Sequence, residues 1–293
     1  MRILIEAFSA AAAGAALIHA YLYVPLLFWP LVSLSASAVV LAALSPLAIS
    51  RRMTFLAHAQ GHSILTAALA AAVPTAVATQ SLTPPLFYLF TLLFVILLNL
   101  LVLAAERLGF RKDVATGVVM SFQLTAAVAL LYVIRYLYAT ALDPLSLITG
   151  EYVLVTWRDA AAQLPLLLLA AVFPLAYGIR YLYAAVDELF AEAVGVKVKT
   201  LDRLFLISMS LAVAGSVYAL GSLMPAVLLV LPGAVASRYS HRLADQIPLS
   251  VSFAALSTAA AHFLYTVLTW LWPSAALGIT MLALLITAPR RGR

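Results

Sequence analysis

Apolar positions dominate this chain in long unbroken runs, separated by short clusters of charge and by prolines. Each run approaches the 20 or so apolar residues that a helix needs to cross a bilayer. Short segments of alternating polarity, the mark of a membrane β-barrel, are absent from the pattern. Helices satisfy their own backbone hydrogen bonds in lipid, so the pattern predicts an all-α polytopic membrane protein. Cutting at charges and prolines predicts about ten crossings, near residues 3–24, 29–49, 61–79, 85–105, 114–134, 161–179, 204–220, 225–236, 247–268 and 273–288. The segment 225–236 is too short for a comfortable span and fits a broken helix packed within protein.

Composition agrees with this picture. Of 293 residues, 65% are hydrophobic and only 10% charged, where a soluble domain carries roughly 25% charged residues. The net charge of +6 could suggest nucleic acid, but in a membrane chain it reads as cytoplasmic loop charge. With the N-terminus inside and sides alternating at each span, 15 of the 17 basic residues fall on the cytoplasmic side. Only Arg135 and Arg158 fall outside. Both termini are then expected in the cytoplasm of a prokaryotic cell, with the chain multi-pass in its plasma membrane. No cysteine is present, which removes disulfides, thiolate metal sites and a cysteine nucleophile together. The N-terminus reads as a first membrane helix instead of a cleaved signal, because its apolar run far exceeds a signal core. There is no Gly/Ser linker, low-complexity tract or soluble domain, so residues 1–293 are expected to form one membrane domain. Pro46, Pro74, Pro165, Pro174, Gly178, Gly215 and Gly221 lie within spans; they suit helices that kink and move, or are the ordinary content of membrane helices.

The chemistry concentrates in "RRMTFLAHAQGHS", residues 51–63. On a helix His58 and His62 share one face. Two neutral imidazoles at this spacing can ligate one divalent transition ion, or they can cap the helix at the membrane interface. A zincin protease needs a glutamate directly after the first histidine; here Ala59 stands there. No phosphate-binding loop of the G-x-x-x-x-G-K-[ST] kind occurs, so ATP hydrolysis of that type must lie outside this chain. His262, within 247–268, could supply a third ligand or hydrogen-bond to its neighbours. His19 lies in the outer half of the first span. Asn99 and Gln123 are expected to bond between helices, and Glu106–Arg107 with Arg111–Lys112–Asp113 reads as an interfacial turn.

Between the sixth and seventh spans, residues 187–194 predict a short amphipathic helix with Gly195 as its C-terminal cap. Leu189, Phe190 and Ala193 could anchor it in the groove of a soluble partner, or the segment could be a solvated loop. On the outer side, Glu151 and Asp159 could steer an ion or dock a protein, and Asp159 could equally pair with Arg158.

These segments together resemble the membrane permease of metal-ion ABC importers, the zinc, manganese and iron uptake family. Its segment of the form R-R-M-S-F-F-G-D-A-L-S-H-S is similar to residues 51–63, with His62 matching and the aspartate replaced by His58. "DPLSLITGEYVLVTWRDA" resembles the external loop, where an aspartate often stands at the place of Glu151. "VDELFAEAVGVKVKTLDRLF" resembles the cytoplasmic coupling segment, with Asp187, Ala191, Ala193, Gly195 and Val196 matching. "GSLMPAVLLVLPGAVA" is similar to the family's G-x-L-L-V-S-A-L-L-I-L-P-A-A-T-A. A carboxylate often found before the last span is missing from Leu271-Trp272-Pro273-Ser274. Residues 1–28 form an extra helix relative to many members.

The resemblance implies a type II ABC importer-like permease, with no enzymatic activity of its own. It implies a homodimer, two cytoplasmic ABC ATPases gripping residues 185–203, and an extracytoplasmic metal-binding protein outside. The coupling residues would be Asp187, Leu189, Phe190, Ala191, Ala193 and Gly195, and Glu151 and Asp159 would serve outer docking. His58, His62 and His262 would meet the transported ion, with no permanently bound cofactor and ATP used by the partner. Two imidazoles favour Zn over the harder Mn, so the expected ion is Zn first, then Mn or Fe. Membrane lipid is the solvent and no nucleic acid is involved. Two rivals remain: a permease for a metal chelate such as a siderophore or cobalamin, and, more remotely, an intramembrane metalloenzyme.

Overall fold

The computed structural model describes residues 2–79, 84–137, 150 and 152–289. Among these the chain is helical without strands. The helices are α1 (Arg2–Tyr23), α2 (Phe28–Ser50), α3 (Thr54–Thr79), α4 (Pro84–Arg107), α5 (Lys112–Leu137), α6 (Trp157–Ala176), α7 (Gly178–Val186), α8 (Glu188–Ala193), α9 (Val198–Leu220), α10 (Met224–Leu228), α11 (Leu231–Tyr239), α12 (Leu243–Val267) and α13 (Pro273–Thr287). Seven are long and apolar enough to cross a membrane. Helix α3, at 26 residues, is ~39 Å long, and two shorter apolar pieces, Met224–Tyr239 and α13, complete a set in keeping with about ten crossings.

Burial sorts these helices into a centre and a periphery. About 61% of the most apolar stretch of α2 is buried, and the same of α9, against 17% for α1. Helix α2 is apolar all round, which suits a buried position; Leu31, Leu34, Leu41, Leu44 and Leu47 are fully enclosed. It packs on α12, α6, α9 and α11, while α3 forms a second group with α4 and α5. Helix α1 lies on the outside of α12, where Ala16 and Ala20 close against Leu31 and Ala259. Such small residues let two backbones approach in lipid.

Several buried polar side chains pair across helices, since an unpaired polar group in an apolar interior costs about 1–3 kcal/mol. Gln163 on α6 bonds to Ser33 and Ser37 on α2. Asn99 donates to Ser210 at 2.7 Å and accepts from Gln60, joining α3, α4 and α9. Ser63 donates to the Gln123 carbonyl at 3.0 Å, joining α3 to α5. Asn99 and Gln123 thus bond between helices, as expected.

Several boundaries differ from the sequence reading. The third span begins at Thr54 instead of residue 61, so the histidines lie inside the helix. The seventh begins at Val198 instead of 204, because Lys197 and Lys199 are tolerated at an exposed first turn. The sixth stops at Ala176, and Tyr177 turns the chain into α7. The segment 225–236 is indeed broken. Pro232 has no N–H to donate to Leu228, and the Gly233 N–H donates instead to Ser45 Oγ at 2.9 Å.

Candidate functional site

The reversal from α2 to α3 takes three residues. Met53 N–H reaches Ala48 O at 2.8 Å and Arg52 N–H reaches Ile49 O at 3.0 Å, the bonding pattern of a left-handed helix cap. Arg52 carries the positive φ of 54°, where glycine is usual. This tight turn starts α3 at Thr54 and sets its rotation.

On α3, His58 is exposed and His62 partly so, with ring centroids 5.2 Å apart. His58 borders the α10–α11 break, where it lines a shallow cleft of about 460 Å³ with Thr54, Phe55, Ala226, Val227 and Val230; His62 stands one turn further along α3. Gly61 makes this geometry possible. A Cβ there would lie 2.5 Å from Ala226 Cβ, so only glycine lets α10 cross α3 this closely. The site therefore combines two imidazoles with a backbone whose helical ladder is interrupted, on a face that one chain leaves uncovered.

Behind the turn lies a charged knot that the sequence does not announce. Arg51 grips Asp202 through Nε (3.2 Å) and Nη2 (2.9 Å), and Glu188 through Nη1 (2.9 Å). Tyr181 donates to Asp202 Oδ1 at 2.5 Å, and the guanidinium lies 5.6 Å from the Tyr181 ring centroid. Burial alone would lower the Arg51 pKa, but the bonds to Asp202 and Glu188 outweigh it and raise it further above its ordinary value. Burial, then Asp202, pushes the Tyr181 phenol up, so it stays a neutral donor. Arg51 was legible as part of the motif; Asp202 was not, since nothing in its local pattern points to a partner 151 positions away.

The knot holds α8. Asp187 caps this helix by accepting from Phe190 N–H at 2.9 Å. At the other end Gly195, with φ +88°, allows Val196 N–H to reach Ala191 O at 2.9 Å and its own N–H to reach Glu192 O at 3.0 Å. Ala191 is buried against Ala184 and Val198, and Ala193 is exposed. Leu189 is 81% and Phe190 64% exposed. The expected helix is present, one residue shorter at each end, and it presents two large apolar side chains away from the protein.

Two expected site residues, His262 and Asp159, have surroundings that the sequence did not show. His262 is fully buried on α12, with Nε2 3.1 Å from His19 Nδ1 on α1. It does not join the pair on α3, and among the described residues no three of His, Asp and Glu gather as a metal site. The reason is rotational: the α12 face carrying His262 packs on α1. Asp159 is buried and accepts from both the backbone N–H and the hydroxyl of Thr156, each at 2.7 Å. It caps α6, and Arg158 lies over Trp157 instead of pairing with it. Glu151 lies outside the described residues. The T-x-x-D spacing of Thr156 and Asp159 is a capping signature that could have revealed this role.

The profile of the ABC 3 transport family matches residues 23–288, which leaves all but the last residue of α1 outside. PsaBC from Streptococcus pneumoniae, solved in complex with Fab, superposes with a TM-score of 0.77 at 19% identity, covering 94% of each chain. A transporter described as of the metal-chelate ABC type, in an inward-facing conformation, superposes with a TM-score of 0.69 at 15% identity, covering 98% of this chain and 99% of its own. At these identities the likeness is one of fold. No curated protein matches the chain.

Proposed function

We propose, from the premise that the chain belongs to the ABC 3 transport family, that it is the permease subunit of an importer for a divalent metal ion, zinc first, then manganese or iron. The observation that carries this reading is the His58–His62 ring pair on α3, with His58 exposed and lining the cleft beside the broken α10–α11 segment. Ionisable side chains within a span are costly and mark pathways or cavities. A second copy of the chain covering that cleft would enclose the pair at a homodimer interface and make the path there. Imidazole nitrogen suits Zn better than Mn, and a transient two-ligand site can replace part of an ion's hydration and still release it.

Energy comes from elsewhere in this reading. A separate cytoplasmic ATPase would seat α8 in a groove through Leu189 and Phe190, and its closure on ATP would pull residues 185–203. Asp187 and Gly195 keep α8 rigid at both ends, so the pull would reach Arg51 and hence the start of α3. An extracytoplasmic binding protein would deliver the ion to the opposite end of the chain, with Glu151 and Asp159 as the carboxylates that the sequence offers it.

The test is ATP-dependent uptake by the assembled complex in vesicles, comparing Zn, Mn and Fe. His58→Ala and His62→Ala are each expected to lower uptake at least about tenfold, since even outer-shell changes cost metal sites that much. Uptake unchanged in both variants would refute the metal path. The lack of a third ligand group among the described residues favours one second reading, a metal chelate as cargo; uptake of the chelate that is indifferent to both substitutions would support it.

A further inference from the structure

A second cavity, of about 480 Å³, lies between α4 and α9 with α3 as its back wall. It is a slot. On α4 it runs from Leu92 to Glu106, ~21 Å along the helix, somewhat more than the ~15 Å of hydrocarbon in one leaflet. Its walls are aliphatic apart from the Asn99–Ser210 pair at mid-depth and two charges at one end, Glu106 and Arg203. That end is the level of Arg51 and the α8 knot, since Arg203 directly follows Asp202. Exposed Ile96, Leu100 and Ile207 rim its open side.

The two charges at the mouth are unspent. Among the described residues neither Glu106 nor Arg203 makes an ion pair, with each other or with anything else. A long apolar slot ending in one cation and one anion is complementary to an amphiphile whose head carries an adjacent phosphate and primary ammonium. We infer that this slot binds one acyl chain of an aminophospholipid from the surrounding leaflet, with its phosphate on Arg203 and its ammonium on Glu106. A choline head has no N–H to donate to Glu106, and a glycerol head has no cation to offer it, so the mouth selects among lipids.

The position of the slot gives the lipid a consequence. Leu56 lines it from α3, and Gln60, which bonds to Asn99, lies next to it. Both project from the side of α3 opposite His58 and His62. A bound chain thus braces the histidine helix from behind, on a side that a second copy seated on the histidine face would leave open to the bilayer. The lipid site stands whatever the cargo is.

The test uses the full chain purified in detergent, with retained phosphatidylethanolamine, phosphatidylglycerol and phosphatidylcholine compared by native mass spectrometry after exposure to an equal mixture. Wild type is expected to retain phosphatidylethanolamine roughly threefold over either competitor, the size of one partly exposed ion pair. Glu106→Gln should bring its retention level with that of phosphatidylglycerol. Arg203→Gln should lower retention of all three, and Ile207→Trp, which fills the slot from its rim, should do so with both charges intact. Circular dichroism confirms that each variant keeps its helices. Equal retention of the three lipids by wild type, retention unchanged in all three variants, or a lipid-free dimer that buries the slot would each overturn the assignment.

Discussion

At the scale of single residues, the buried histidine on α12 has the least freedom. His262 has one nitrogen bonded to His19 and the other without a partner among the described residues. Removing His19 would leave the whole imidazole unpaired in an apolar interior. His19→Ala is therefore expected to lower the stability of the folded chain by about 1–3 kcal/mol, read as a lower melting temperature in detergent. The double variant His19→Ala/His262→Ala should cost less than the sum of the single changes, because it leaves no orphan behind. Additive losses would show that the two rings act separately. The sequence made the i, i+4 relation of His58 and His62 legible, since helical geometry alone dictates it. It could not tell that His262 faces α1, because that depends on how two helices 243 positions apart rotate against each other.

At the scale of elements, α8 and the α2–α3 turn act as one unit through Arg51. The short helix was readable in sequence because its signals are local: an aspartate cap in front, a glycine behind and apolar residues between. What it attaches to was not readable. Arg51→Met removes a half-buried cation from two carboxylates, which should cost roughly 1.5–3 kcal/mol, the scale of hydrogen bonds to charged groups. It should also loosen α8 from α3. In the assembled complex, ATP hydrolysis is then expected to continue while uptake falls; parallel loss of both would argue that the knot serves only to bind the ATPase. Asp159 teaches the complementary lesson. A carboxylate that looked available at an outer loop is consumed by the first turn of α6, as a capping box requires.

At the scale of the whole molecule, contacts gather Arg2 with Asp245, Arg51 with Asp202 and Glu188, and Gly178 with Leu47 and Ile247 at one end. Gly150, Gly221 and Trp272 meet at the other. These two ends match the alternation assumed for the basic residues. Because the chain has no cysteine, introduced single cysteines can test which end faces the cytoplasm. Lys199→Cys and Leu108→Cys should react with an impermeant thiol reagent only from the cytoplasmic side of vesicles, and Tyr23→Cys only from the outer side. Labelling with the opposite sidedness would invert the topology and remove α8 from the reach of any cytoplasmic ATPase.

What the sequence determined by itself is whatever depends on composition and near neighbours. The apolar excess requires a bilayer and so a helical fold. The spacing of charges gives the approximate number and place of the spans, a broken segment around Pro232 is legible from its length and proline, and the histidine pair follows from periodicity. Only the tertiary structure decided which helices are central, that Gly61 admits α10 beside the pair, that Arg51 reaches Asp202, that His262 turns away, and that a charged slot opens between α4 and α9. In lipid the hydrophobic effect does not choose helix partners, because tails are as apolar as the side chains. The choice falls to close packing of small residues and to a few polar contacts between positions far apart in sequence, and neither has a local signature.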